Sequence, residues 1–256
     1  MKNLEAEKLP LFALEGIFMN LSLNDLYSIM CTSRRLFYVV EMYTDSVWKA
    51  KAQHILPPSA LNDVNLLKDI KSYKDKIRAF KFSWNQIDTS KNIYLKPNGF
   101  TVHRQPVAQS TDAIRGKMGV NAGIHAWQFT WIGPLGTVAM IGIATKHATL
   151  HCHGYKELLG NDDQSWGWNL VTGNLQHNGE VICSFPKTNN APRYKIGEKI
   201  RMVLDCEKGI LYFEKGSEFL GVAFEDIPPL KLFPAISAVY GNTEVTMTYV
   251  GPPVVG

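Results

Sequence analysis

The chain has 256 residues, of which 45% are apolar and 20% charged, and its formal net charge is +4. This composition excludes wholesale disorder, and so mild a charge gives no basic field of the kind that nucleic-acid binding needs. No apolar run reaches the roughly 18 residues of a membrane span, so no membrane insertion is expected.

Glycine divides the sequence. Of 20 glycines, only Gly16 precedes residue 81. A glycine costs about 1 kcal/mol in a helix interior, so the distribution predicts a helical first part and a turn-rich second part. The segment Met1 to Pro10 carries Glu5, Glu7 and Lys8 and lacks the apolar core of a signal peptide. Cys31, Cys152, Cys183 and Cys206 are widely spaced and read as reduced thiols of a cytosolic or nuclear protein.

In chain order, Leu14, Ile17, Phe18 and Leu21 form one apolar helix face. Ser22 or Asn24 can cap a second helix, which carries Leu26, Ile29 and Met30 on one side. A third segment runs from Ser33 to Val40, and Trp48 closes the set. A unit this small sits near the lower size limit for an independent core, yet it is rich in large apolar side chains. Either such a unit packs on the rest of the chain, or it offers an apolar face to another protein. Residues 50–81 read as a helical connector, interrupted at Pro57-Pro58, with Leu66, Ile70, Tyr73, Ile77 and Phe80 on one face. Its lysines alternate with Asp69 and Asp75, as on a solvated, charge-paired face.

Beyond Lys81 the apolar period falls to two. Residues His125 to Trp131 and Glu244 to Tyr249 alternate, whereas Val138 to Ala144 is an almost continuous apolar run that predicts a strand buried on both faces. Ile200 to Leu204 and Ile210 to Phe213 predict a hairpin around Gly209, and Lys215-Gly216 turns the chain into Phe219 to Phe224. Many short strands predict an antiparallel β-sandwich. The fold class is therefore α+β and multidomain: a small all-α unit over residues 1–49, a helical connector over 50–81 and an all-β sandwich over 82–256.

Two resemblances rest on these residues. Leu9-Pro10, Leu14, Ile17-Phe18, Leu21, Asp25-Leu26, Arg34 and Trp48 together resemble an F-box. Gly123-Ile124-His125-Ala126-Trp127, Gly142-Ile143-Ala144, Gly154-Tyr155, Leu159-Gly160, Ser165-Trp166-Gly167-Trp168, His177-Asn178-Gly179 and Leu220-Gly221-Val222-Ala223-Phe224 resemble a SPRY (B30.2) domain. The stretch from Arg104 to Asp112, with Val245-Thr246-Met247, is most similar to the SPRY/SOCS-box proteins. An F-box followed directly by this type of SPRY domain resembles the synaptic F-box/SPRY family.

The resemblance implies a non-catalytic, substrate-recognition subunit of an E3 ubiquitin ligase complex, acting in protein ubiquitination and degradation. Leu9, Pro10, Leu14, Ile17, Phe18, Leu21 and Leu26 would hold a Skp-type adaptor. A shallow pocket of Arg104, Pro106, Ala108, Gln109, Tyr155, Val239, Tyr240 and Gly241 would hold an extended target peptide, which in the SPRY/SOCS-box proteins is acidic and Asn-rich. Arg104 suits a peptide carboxylate or carbonyl, Gln109 a peptide amide, and the two tyrosines supply aromatic walls. Tyr240 stands where those proteins have Trp, so the preferred motif is expected to differ. The resemblance further implies a PHR-type large RING ligase as partner, with a cullin scaffold as the other route. It places the protein in the cytoplasm at synapses, and also in the nucleus, with roles in restraint of synaptic growth, synapse formation, the neuromuscular junction and neurogenesis. An alternative is a SPRY peptide-binding adaptor that organises synaptic signalling complexes without ubiquitin transfer.

No catalytic motif is present: the chain has no G-x-S-x-G elbow, no H-E-x-x-H, no Walker A loop and no dinucleotide fingerprint. His147, His151, Cys152 and His153 are the nearest thing to a metal cluster. In a strand His151 and His153 would share a face and Cys152 would point away, so no metal and no cofactor is expected.

Overall fold

The computed structural model describes residues 8–42, 45–186 and 194–252. The chain divides into two compact units, Met1–Ile77 and Arg78–Gly256. All residues of the expected pocket fall within the described residues.

The first unit is helical: α1 (Leu11–Asn20), α2 (Leu23–Met30), α3 (Arg34–Met42), α4 (Asp45–Ile55) and α5 (Pro58–Leu61), with α6 (Tyr73–Lys81) running across its end. Serines start α2, α3 and α6. Ser22 caps α2, its Oγ accepting from the Asp25 N–H at 3.1 Å and donating to the Asp25 carboxylate at 2.7 Å. Ser72 repeats the device with Asp75 ahead of α6. Each such cap satisfies an orphan helix donor and contributes about 1 kcal/mol. Leu14, Phe18, Leu26, Val40, Val47 and Trp48 are buried, and the Trp48 indole N–H donates to the Val40 carbonyl at 3.0 Å.

The connector differs from the expectation. It is not continuous helix: α5 begins at Pro58, where the missing proline N–H costs nothing, and residues 62–72 form turns. The reason is local. The Asp63 carboxylate accepts from the N–H groups of Asn65 and Leu66, at 2.9 and 3.2 Å, an Asx turn that competes with helix. The turn also moves the inward side chain from Leu66 to Leu67, which is buried with Ile70.

The second unit holds β1 (Trp84–Thr89), β2 (Ile93–Leu95), β3 (Thr101–Arg104), β4 (Ser110–Gly116), β5 (Ile124–Ile132), β6 (Ala139–Ala144), β7 (His151–His153), β8 (Ser165–Asn169), β9 (Asn174–His177), β10 (Glu180–Ser184), β11 (Lys199–Asp205), β12 (Ile210–Lys215), β13 (Glu218–Phe224), β14 (Phe233–Ala238) and β15 (Thr243–Gly251). One sheet has the order β1-β4-β14-β6-β8-β9-β10, with β7 also paired to β4; the other has the order β13-β12-β11-β5-β15-β3-β2. The strand pairs are antiparallel, as the alternating pattern requires. The expected hairpin forms between β11 and β12, Asp205 opposite Ile210, with Gly209 at positive φ in its turn.

Aromatic side chains fill the space between the sheets. Trp84 lies 6.0 Å from Phe129 across the sandwich, and its indole N–H donates to the Val245 carbonyl at 3.2 Å. Trp168 lies 4.9 Å from Phe213. The indole N–H groups of Trp127, Trp131 and Trp168 are buried without a partner among the described residues. Each orphan costs about 1–3 kcal/mol. Burying about 150–250 Å² per ring gains about 4–6 kcal/mol, so size wins at these positions. The strand β6 is buried along its whole length, as its apolar run predicts. Gly142 in β6 faces Gly167 in β8, and a Cβ at Gly142 would lie 1.9 Å from the Trp166 carbonyl oxygen; the close strand approach depends on glycine there.

Candidate functional site

At one end of the sandwich four segments converge. They are the loop from β3 to β4 (105–109), the loop from β5 to β6 (133–138), the residues after β7 (154–155) and the turn from β14 to β15 (239–242). Backbone hydrogen bonds stitch them together. The Asn242 N–H donates to the Arg104 carbonyl at 2.8 Å, the Gly154 N–H to the Gln109 carbonyl at 2.9 Å, and the Thr243 hydroxyl to the Pro134 carbonyl at 2.7 Å. Gln109 adopts φ 51°, which turns its N–H toward the Tyr155 phenol oxygen, 3.2 Å away. Gly241 packs so closely on Pro106 that a Cβ would sit 2.4 Å from the Pro106 Cα.

These segments enclose an open cavity of about 510 Å³. Seven of the eight residues expected from the sequence line it: Arg104, Pro106, Ala108, Tyr155, Val239, Tyr240 and Gly241. Gln109 is exposed beside the cavity instead of in its wall, and acts on it through the N–H bond to Tyr155. Val107, Gly136, Thr137 and Asn242 also line it and were not anticipated. Gly136 is the informative one. Its φ of 70° and its approach to the Tyr240 Cβ, 3.0 Å from where its own Cβ would be, let the β5–β6 loop lie against the tyrosine.

The walls are amphipathic. Tyr155 and Tyr240 remain 47% and 48% exposed, each offering a ring face and a hydroxyl. Beneath them Arg104 is 3% exposed and Asp112 fully buried. The Arg104 Nε donates to Asp112 at 3.0 Å, and its Nη2 donates to the carbonyls of Val107 and Ser110, both at 2.8 Å. The Arg104 guanidinium is thus committed first to bracing the β3–β4 loop, and Nη1 is the donor without a partner among the described residues. Asp112 also accepts from Ser90 at 2.6 Å, Asn92 at 3.0 Å and Ser110 at 2.9 Å, and its Oδ1 lies 3.0 Å from the His151 Nδ1. Burial pushes the Asp112 carboxyl up, but the hydrogen bonds from Ser90, His151, Ser110 and Asn92 outweigh it and hold the group below the ordinary carboxylate value. His151 is therefore part of the brace. Among the described residues no group of three or more His, Cys, Asp or Glu side chains is placed to hold a metal ion.

On the helical unit the expected adaptor face splits in two. Leu14, Phe18 and Leu26 are buried and belong to the core, whereas Pro10 and Ile17 are exposed and Leu9 and Leu21 half-buried. The accessible apolar surface of α1 is completed by Leu11, Phe12 and Met19, which the sequence reading did not include.

Comparison with known proteins agrees with both units. The SPRY domain family matches residues 124–251. The F-box/SPRY domain-containing protein 1 of Caenorhabditis briggsae is 56% identical over 251 residues, 98% of this chain and 76% of that protein. That of Drosophila virilis is 53% identical over 243 residues, 95% of this chain and 96% of that protein. The chain belongs to the F-box/SPRY domain-containing protein 1 family. The solved SPRY domain of human HERC1 is 20% identical, covers 66% of this chain and 98% of its own, and superposes with a TM-score of 0.52, a likeness of fold. Of the cavity lining, Gly136, Thr137, Tyr155 and residues 239–242 fall within the SPRY match, and Arg104, Pro106, Val107 and Ala108 lie ahead of it.

Proposed function

We propose that this protein is a non-catalytic substrate-recognition subunit of an E3 ubiquitin ligase complex. The exposed face of α1, around Pro10, Phe12 and Ile17, docks on a Skp-type adaptor, and the sandwich cavity captures an extended segment of the target. The observation that carries this reading is the cavity itself: about 510 Å³, open, with two half-exposed tyrosines on a hydrogen-bonded frame. Rigid aromatic walls with polar tips over a braced floor suit peptide capture, because little protein entropy is lost on binding. Catalysis would then be proximity: the complex raises the effective concentration of target lysines near a charged ubiquitin carrier. The finer reading is that a large PHR-type RING ligase supplies that carrier, in the cytoplasm at synapses and in the nucleus, to limit synaptic growth.

Two measurements test it. Ile17→Asp, an exposed substitution, is expected to abolish pull-down of a purified Skp-type adaptor; undiminished pull-down would remove the F-box half of the proposal. An acidic, Asn-rich peptide titrated onto the Tyr155→Ala, Tyr240→Ala protein is expected to bind at least about tenfold more weakly than to the unaltered protein, the loss of about 1.4 kcal/mol of wall contact. Peptide capture together with no ubiquitin transfer in a reconstituted reaction would favour the scaffold reading over the ligase one.

A further inference from the structure

A second cavity, of about 390 Å³, shares no lining residue with the one described above. It lies between the terminal strands of the two sheets among the described residues, β10 and β13. Ile182 and Cys183 of β10 form one side, and Val222 to Phe224 of β13 the other. Trp166, stacked on His177 at 4.5 Å, forms the wall between them.

Two features single it out. The first is the edge. A terminal strand offers unpaired N–H and C=O groups, and proteins usually blunt such edges with lysine, proline or a bulge. The β13 edge is irregular at two places against β12, and the β10 edge at one, between Val181 and Cys183 against β9. The β10 edge reads Glu180-Val181-Ile182-Cys183-Ser184, with neither lysine nor proline, and Val181 and Ile182 are each 54% exposed. The second is charge. Asp163, Glu225 and Asp226 line the cavity; among the described residues no lysine or arginine lines it, and none of the three carboxylates is in an ion pair. An apolar slot beside an available strand edge, rimmed by unneutralised carboxylates, complements one class of guest: an extended segment with alternating apolar and cationic side chains.

We propose that this cavity is a second peptide site, which takes a lysine- or arginine-bearing segment of a partner protein as an added strand on β10, its cations directed to Asp163, Glu225 and Asp226. It is separate in residues from the tyrosine-walled cavity and does not rest on the ligase reading.

The test uses the full chain and a fluorescent octapeptide of alternating lysine and valine, followed by anisotropy. A glutamate-for-lysine counterpart and a version N-methylated at alternate amides are the controls. The basic peptide is expected to bind about tenfold or more tighter than either control, and the combined Asp163→Asn, Glu225→Gln, Asp226→Asn protein to lose about the same factor. Tyr155→Ala with Tyr240→Ala is expected to change nothing. Backbone amide shifts should centre on residues 180–184. Absent binding, indifference to N-methylation or to the neutralised carboxylates, or shifts centred on residues 104–109 and 240–242 would each overturn the proposal.

Discussion

Asp112→Asn is the most informative single substitution in the sandwich. The native carboxylate is fully buried and is the counter-charge of an Arg104 guanidinium that is itself 3% exposed. Asparagine keeps the shape and some acceptor capacity but leaves the guanidinium buried without a partner charge. Removing one member of a buried ion pair costs about 3–5 kcal/mol, more than any single neutral hydrogen bond here would account for. Arg104→Met alone leaves the carboxylate with its Ser90, Asn92 and Ser110 donors and is expected to cost less. Together the two substitutions remove both charges, so the double variant should be less destabilised than the sum of the singles by about 2 kcal/mol, within the range found for coupled neighbours. Guanidinium unfolding followed by tryptophan fluorescence reads this directly, because every tryptophan except Trp48 lies in the second unit. The pH dependence supplies a second readout. The Asp112 carboxyl is held below its ordinary value, so its contribution is present above the unfolded value of about 3.9 and is lost as pH falls through the lower folded value. The gap between native and Asp112→Asn proteins should therefore narrow below about pH 4. A coupling below about 0.5 kcal/mol, or a gap that stays constant in acid, would refute the view of Arg104 as a brace.

Three further outcomes are expected. Gly142→Ala places a Cβ 1.9 Å from the Trp166 carbonyl oxygen; because backbone must move, a loss of about 1–3 kcal/mol or more is expected, visible as a lowered Tm. Burial, opposed by its bond with Trp131 and reinforced by Glu198, pushes the Tyr194 phenol up to about 12; the raised value means that its stabilising contribution is intact below pH of about 10 and is lost as pH rises through about 12, which ultraviolet titration against unfolding resolves. Burial, with Asp205 and Glu207 beside it, pushes the Cys206 thiol up to about 11; iodoacetamide at mildly alkaline pH is expected to modify exposed Cys31 and spare Cys206, as read by peptide mass spectrometry.

Much of the fold was legible because it depends on period and punctuation. The two-residue period of His125 to Trp131 became β5, with Trp127, Phe129 and Trp131 inward, and the Gly209 turn became a hairpin. What was not legible is what several parts of the chain decide together. The spacing of Leu66, Ile70 and Tyr73 matches a helix, but one Asp63 carboxylate bound to the following N–H groups diverts the chain. Leu14, Phe18 and Leu26 share the apolar stripe of Ile17, and a stripe cannot say which of its members face the unit's own core. Arg104 suited a peptide carboxylate or carbonyl in the sequence because its partner Asp112 meets it only once β3 and β4 have turned back. Gly136, Thr137 and Asn242 reach the cavity from distant loops, and only their final positions make them neighbours of Tyr240.

The stitching of the cavity rim by the Asn242, Gly154 and Thr243 bonds has a consequence for which proteins it can hold. A frame already closed in the free molecule leaves nearly all of the ordering entropy to the guest. Residence time should then follow the guest's stiffness as much as its chemistry: the same side chains on a segment held extended by a flanking proline or a neighbouring strand would stay longer than on a freely flexible tail. Selection among targets sharing one motif would fall to the folded neighbourhood of that motif.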